Sequence, residues 1–319
     1  MHDIIQETAW EIVRQESVEE PGNRSRLLDP DDIYHVLKHN KGSEIIRSMT
    51  IRLSENKELQ ELQILPDLPL SLETLDASGC VSLENVAFRS TASEQLKEKR
   101  KRVTFWNCLK LNEPSLKAIE LNAQINLMNF SHQHISTCDR DNDHDHDRNQ
   151  GMYVYPSSEI PGWLEYSTST HDYITIDLSS APYFSKLGFI FGFIIPTISS
   201  DGSILKFKIS DGEDEGIKVH LNRPHHGIES DHVYLMYDPR LSHYLASRVN
   251  DQSQIKIQVR AASRTLTSQY VPMQLRGFGV SLVTPSLYDE FKQQLEFGDG
   301  SVIPNHMCTV EEGLKFLEI

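Results

Sequence analysis

The sequence predicts a multidomain α+β chain. It would comprise a helical N-terminal piece, a short segment of stacked repeats and a C-terminal antiparallel β-sandwich of jelly-roll or immunoglobulin-like type. Three observations predict it. Apolar residues recur at three-to-four spacing near the start. A Leu/Cys pattern ending at Cys80 returns 28 residues later at Cys108. Short alternating runs separated by turn dipeptides then fill residues 151–283.

Residues 4–16 read as an amphipathic helix, with Ile4, Ile5, Ala9, Ile12 and Val13 on one face. Pro21-Gly22-Asn23 breaks it. Asp29 is an N-cap with Pro30 at the first position of a second helix, and Gly42 is its expected end. From Ile45 to Leu53 the period changes to that of a half-buried strand, with Met49, Ile51 and Leu53 on one side. Leu72-x-x-Leu75-x-Ala77-x-x-Cys80 fits the leucine-rich-repeat template, Leu59-x-x-Leu62-x-Ile64-x-x-Asp67 is a partial copy, and Val103-x-Phe105-x-x-Cys108-x-x-Leu111 is an echo. The cysteines serve here as small buried groups. Lys97–Arg102 reads as a solvated face or loop, with a nuclear address as the sharper alternative.

Residues 129–150 carry few apolar side chains to bury and are expected to form a disordered acidic His/Asp linker. The sandwich strands are expected at 152–155, 173–178, 187–195, 204–209, 217–221, 232–236, 255–259 and 275–283. Leu187–Ile195 is apolar throughout and belongs at the centre, and Gly188 and Gly192 mark close sheet contacts. Asp211-Gly212 and Asp238-Pro239 read as turns. A short helix is expected over Glu311–Leu317. The divisions are therefore 1–54, 55–128, 129–150, 151–290 and a tail 291–319.

Composition narrows the function. Thirty-one Lys and Arg against 46 Asp and Glu leave a formal charge of −15, which disfavours a whole-chain nucleic-acid binder. The longest apolar run is about half the ~20 residues a membrane span needs. Four scattered cysteines suit a reducing compartment rather than a disulfide framework.

Several stretches resemble plant disease-resistance receptors of the TIR-type nucleotide-binding leucine-rich-repeat family. Met1-His2-Asp3, Glu11–Ser17, Pro21–Leu27 and Asp32–Lys38 resemble the end of that family's winged-helix subdomain. Leu62–Val86 resembles its last repeats, and Val103–Asn122, with Phe105-Trp-Asn-Cys, the cap that follows. Tyr155-Pro-Ser-Ser-Glu-Ile-Pro-Gly-Trp-Leu, Ile174–Leu178 and Leu187–Phe193 resemble its C-terminal jelly-roll domain. The chain has no Gly-x-x-x-x-Gly-Lys-Ser/Thr phosphate loop, and the text passes from the first repeat-like strand to the last repeats between Ser54 and Glu58. A truncated member is the resulting expectation.

By this resemblance His2, with Met1 and Asp3, is the remnant of a motif that senses ADP. The family binds ADP or ATP, but a lone imidazole cannot hold a nucleotide without a cradle of N–H groups and a Lys. No cofactor is expected. No catalytic elbow or metalloprotease helix is present, so no enzyme activity is expected. His132, His134 and Asp143–Asp147 supply metal-capable groups, read here as solvated linker. His220, His225 and His226 read as loop residues. The resemblance implies recognition of a pathogen effector or a full-length receptor, in the cytoplasm with the nucleus as a second compartment. Candidate contact loops are Thr197–Ser203, Asp211–Gly216 and Asn222–Asp231, centred on Asp211, His225 and His226. The exposed N-terminal helix is a further means of association. Trp163 reads as a core anchor or an exposed aromatic anchor. The alternative from another class is a carbohydrate- or small-ligand-binding jelly roll.

Overall fold

The computed structural model describes residues 2–51, 59, 61–66, 68–88, 92–99, 101–137, 150–178, 187–199, 202–212, 216–224, 227–249, 254–265 and 267–297. It is mixed α+β, with helices, parallel strands and antiparallel strands.

The first helix, α1 (His2–Glu16), ends before a 3₁₀ turn at Pro21–Asn23. The second, α2 (Pro30–Lys38), starts as its sequence requires. The Asp29 carboxylate accepts the Asp31 and Asp32 backbone N–H groups at 3.0 and 3.4 Å, and Pro30 needs no donor there. The helix stops at Lys38 rather than at Gly42. Asn40, at φ +48, makes the left-handed exit, which a short polar side chain tolerates. The two N-terminal helices differ in packing. Ile5 and Ile12 of α1 are 64% exposed, whereas Ile33 and Val36 of α2 are buried in a core shared with the repeats.

The repeat strands β1 (Arg26–Leu27), β2 (Ser48–Thr50), β4 (Thr74–Asp76) and β6 (Arg102–Thr104) are parallel neighbours in that order. Leu75 faces Val103, so the 28-residue sequence offset is the register of β4 on β6, and Met49 faces Leu75. The partial copy at 59–67 does not join this sheet. Its strand β3 (Ile64–Leu65) pairs with β5 (Asn85–Val86), so this part of the chain makes a second strand pair outside the main sheet. Leu72, Leu75, Ala77, Cys80 and Leu83 are all buried. The Cys108 thiol donates to the Ala77 carbonyl at 3.1 Å. The neighbouring Cys108 thiol and burial hold the Cys80 thiol far above its ordinary range, so it stays protonated and unreactive.

A short helix α3 (Ala92–Gln95) leads to the basic run. Lys97 and Lys99 are exposed as expected, but Glu98 is buried and accepts from Asn122 and Asn126 at 2.7 and 3.2 Å. The cause is α4 (Glu113–Thr137), which crosses over it. Residues 129–137 of the expected linker belong to α4 instead, with Phe130 and Ser131 buried. Residues 138–149, with Asp143–Asp147, lie outside the described residues.

The strand β7 (Gly151–Pro156) runs parallel to β6, with Tyr153 facing Val103. It thereby joins the repeat strands to the sandwich. After β8 (Tyr166–Thr168) and β9 (Tyr173–Asp177) comes β10 (Gly188–Ile195). It is followed by β11 (Ile204–Ser210), β12 (Ile217–Asn222) and β13 (His232–Tyr237). The helix α5 (Pro239–Arg248) precedes β14 (Gln254–Arg264), β15 (Tyr270–Met273), β16 (Gly277–Val283) and α6 (Pro285–Phe297). One nine-stranded sheet has the order β1-β2-β4-β6-β7-β13-β10-β16-β8. The second sheet has the order β12-β11-β14-β15, with β9 also on β14.

The strand β10 lies between β13 and β16, as its apolar run predicts. Phe189, Phe191 and Phe193 belong to the core between the sheets. Ile190 and Ile194 belong to the core under α4 and α6. A Cβ at Gly188 would meet Ser131 Oγ of α4 at 2.3 Å, and one at Gly192 a Leu164 methyl at 2.5 Å. Asp238-Pro239 is not a simple turn. Asp238 accepts the Arg240 and Leu241 N–H groups and caps α5. The tail expected from 291 begins inside α6, whose Tyr288 and Phe291 are buried, with the Tyr288 ring stacked on His132 at 4.0 Å. The helix expected over Glu311–Leu317 lies outside the described residues.

Candidate functional site

The site is the junction between the repeats and the sandwich, and it is built from the Phe105-Trp106-Asn107-Cys108 turn upward. Asn107 sits at φ +56, a conformation Asn accepts more readily than most residues. Three of its polar groups reach across to the sandwich. Its side-chain amide donates to the Gly227 carbonyl at 3.0 Å, and its side-chain oxygen accepts the Glu229 N–H at 3.0 Å. Its backbone N–H donates to His232 Nε2 at 3.0 Å. The loop Asn222–Asp231 is thus bolted to the end of the repeats.

A second loop joins it. Ile198 and Ile228 form an isolated antiparallel bridge, with N–H···O distances of 3.0 and 2.9 Å. The loops at 197–203 and 222–231 therefore lie side by side. Between the start of the 222–231 loop and the repeat strands is a groove of about 270 Å³ lined by Asp76, Ser78, Thr104, Trp106 and Arg223 among others. One wall is ordered by Asp76, whose carboxylate accepts from Ser78 Oγ at 2.5 Å and Thr104 Oγ1 at 2.8 Å. That wall carries hydroxyls and a carboxylate, while Trp106 beside them is buried.

His232 is fully buried against Trp106, their rings 5.2 Å apart. Its Nδ1 lies 2.8 Å from the Ser230 carbonyl, so Nδ1 carries the proton and Nε2 is free to accept from Asn107. Burial lowers its pKa to about 4, outweighing the Ser230 carbonyl and Asp231, which both raise it. The folded state therefore binds this proton less well than the unfolded chain. Its contribution to stability is complete above the unfolded pKa of 6.5 and is lost as pH falls toward 4, about 3 kcal/mol in all. Urea melts at pH 7 and pH 5 are expected to differ by about 2 kcal/mol more in the native protein than in His232→Gln. Equal pH dependence in the two would contradict this assignment.

The other residues singled out from the sequence scatter. Asp211 is at the opposite end of β11 from the junction. It accepts from the Tyr244 hydroxyl at 3.3 Å and faces Arg248 at 3.7 Å, so it is tied to α5. His225, His226 and Met1 lie outside the described residues. His2 and Asp3 belong to α1, which reaches none of the residues of the junction groove. Trp163 is partly buried against the core, which favours its reading as an anchor. His134 Nδ1 contacts the Phe130 carbonyl at 3.0 Å, and the described residues contain no group of three or more metal-capable side chains. No described helix is long and apolar enough to cross a membrane. Sequence reasoning misses Asn107 and His232; the one available signal is an Asn between Trp and Cys at the end of a repeat.

Fold and site together define a repeat segment closed by a β-sandwich, with a polar groove where they meet. No protein-family model matches the chain. Its curated relatives are plant disease resistance proteins. It is 30% identical over 111 residues to disease resistance protein RUN1 of Vitis rotundifolia, covering 30% of this chain and 8% of that protein. It is 32% identical over 101 residues to disease resistance protein RPS6 of Arabidopsis thaliana, covering 32% of this chain and 8% of that protein. A stretch of 59 residues is 41% identical to disease resistance protein RPV1 of Vitis rotundifolia, covering 18% and 4% respectively. The chain thus spans less than a tenth of the length of the relatives it matches.

Proposed function

We propose that this chain is a non-enzymatic recognition fragment of an intracellular plant immune receptor. It grips a pathogen effector protein, or a partner receptor, at the junction groove. The observation that carries the reading is the joining of two sandwich loops, 197–203 and 222–231, to each other and to the repeat cap through Asn107. Loops on a rigid scaffold are where variable contacts are made at least cost to the core. The names of the relatives support the defence role. The exposed Ile5, Trp10 and Ile12 of α1 offer a second, apolar means of association with a receptor. No phosphate loop accompanies His2, so nucleotide has no part in this reading.

Thr74 lines the groove. Thr74→Arg puts a long cation there without touching the core. Co-precipitation from plant tissue with a panel of effectors is expected to capture one with the native chain and to lose it with Thr74→Arg. Asp211→Ala is expected to keep it. Capture that survives Thr74→Arg, or a specific sugar hit on a glycan array with no protein captured, would overturn the proposal in favour of a carbohydrate-binding sandwich.

A further inference from the structure

The strand registers gather cations on the outer face of the second sheet. Alternation along β11, β12 and β14 turns Leu205, Phe207, Val219, Ile257 and Val259 into the core. It turns Lys206, Lys208, Lys218, Lys256, Arg260 and Arg264 to the other side. Lys208 faces Lys218 on one neighbour and Arg260 on the other. Three like charges directly opposite one another in adjacent strands destabilise a sheet. Among the described residues the side chains of these three have no hydrogen-bond or ion-pair partner. The acids nearby are Asp177 at the end of β9 and Asp172, which accepts from Gln258 at 2.8 Å. Glu213, Asp214 and Glu215 of the β11–β12 turn lie outside the described residues. In a chain with formal charge −15, a face with six cations runs against the average.

A groove of about 680 Å³ opens beside this row. Lys206, Lys208 and Arg260 line it together with Pro272, Met273 and Leu275. It shares no lining residue with the junction groove. We propose that this face is a second docking surface, for a protein segment that alternates carboxylates with apolar side chains. The cations meet the carboxylates, and the Pro, Met and Leu side chains take the apolar ones.

Two features favour a protein segment over a nucleic acid. The tyrosines that could stack bases are each covered by an ammonium group, Tyr270 by Lys206 at 4.8 Å and Tyr173 by Lys256 at 4.3 Å. The net charge of −15 repels a long polyphosphate more strongly than a short acidic segment, because the repulsion grows with the charge the partner carries. The cost of the like-charge row is offset once carboxylates enter.

The test uses the full chain and a fluorescein-labelled peptide alternating glutamate with valine, read by anisotropy. Binding is expected to saturate and to weaken as salt rises. Lys208→Glu/Lys218→Glu/Arg260→Glu is expected to weaken it by about tenfold or more, while Lys292→Glu on α6 leaves it unchanged. The reversal keeps three like charges in register, whereas Lys208→Gln/Lys218→Gln removes two of them, so the melting temperature of the Gln variant should not fall. Lys208→Gln/Lys218→Gln gives the same readout if the reversal misfolds, with a smaller loss. No saturation at about 1 mM peptide overturns the proposal, as does native-like binding by both variants. Tighter binding of a single-stranded oligonucleotide or of phosphatidylserine vesicles through the same three residues overturns it in favour of a nucleic acid or a lipid surface.

Discussion

A chain cut back to residues 151–290 is expected to aggregate, although those boundaries enclose the whole predicted sandwich. The large sheet has two apolar faces. One packs on the second sheet. The other places Tyr153, Tyr155, Ile190, Ile194, Leu235 and Tyr237 in one core with residues of α4, which packs on it, and of α6. Removing α4 and most of α6 returns these six side chains toward water at about 1.5–3 kcal/mol each. That sum reaches or exceeds the roughly 5–15 kcal/mol by which a domain is stable. The cut also strips β6 from β7 and leaves a new sheet edge to seek a partner. A longer piece, 101–297, keeps both helices and β6. It is expected to elute as a soluble species in size-exclusion chromatography and to melt cooperatively, at a lower temperature than the full chain. A cooperative melt from 151–290 would show that the sandwich stands alone and that the shared core is dispensable.

The second large effect is expected at Asn107. Asn107→Ala removes both side-chain bonds, leaving the buried Gly227 carbonyl and the part-buried Glu229 N–H without them. Each such group costs about 1–3 kcal/mol, and an alanine at φ +56 adds about 1 more. The expected loss is about 3–5 kcal/mol by denaturant unfolding. Asn107→Gly relieves the backbone strain only, so it should cost about 1 kcal/mol less than alanine. Hydrogen exchange should quicken at 227–232 in both variants before it changes in β10, because the loop is released while the sandwich core is untouched. Alanine and glycine variants as stable as the native chain would mean that the loop is held by other means. Effector capture should fall in parallel with the loss of protection, since a released loop must be ordered again at the moment of binding.

The elements legible in the sequence share one property: their signal lies in neighbouring residues. Asp29-Pro30 announces α2 because the cap and the first turn are adjacent in the chain. The strands at 204–209 and 255–259 alternate because one side of each faces the sandwich core. The strands β8 and β15 are short and largely exposed, so no alternation marks them. The length of α4 is hidden for the opposite reason. It is covered on several sides, and its Asn122, Asn126 and Ser131 are buried polar groups that resemble a spacer. Asn122 and Asn126 become acceptable inside only because Glu98, Gln95 and Tyr153 supply partners from elsewhere in the chain. The candidate site is less legible than the fold. Of the three candidate loops, two meet and the third lies at the far end of β11. Asn107, which joins the first two to the repeats, carries no local mark of that role beyond its place in the cap motif.

From its sequence alone this chain declares a repeat spacing, a sandwich strand pattern, an acidic balance and the absence of a phosphate loop. Each is a property of composition or of residues a few positions apart, where steric periodicity and side-chain polarity leave their mark directly. The tertiary structure alone decided that the parallel and antiparallel strands form one sheet, that Asn107 and His232 meet across 125 residues, and that scattered lysines and arginines share one face. Those outcomes depend on hydrogen bonds and registers between distant segments, and a single line of residues carries no local trace of which segments will pair.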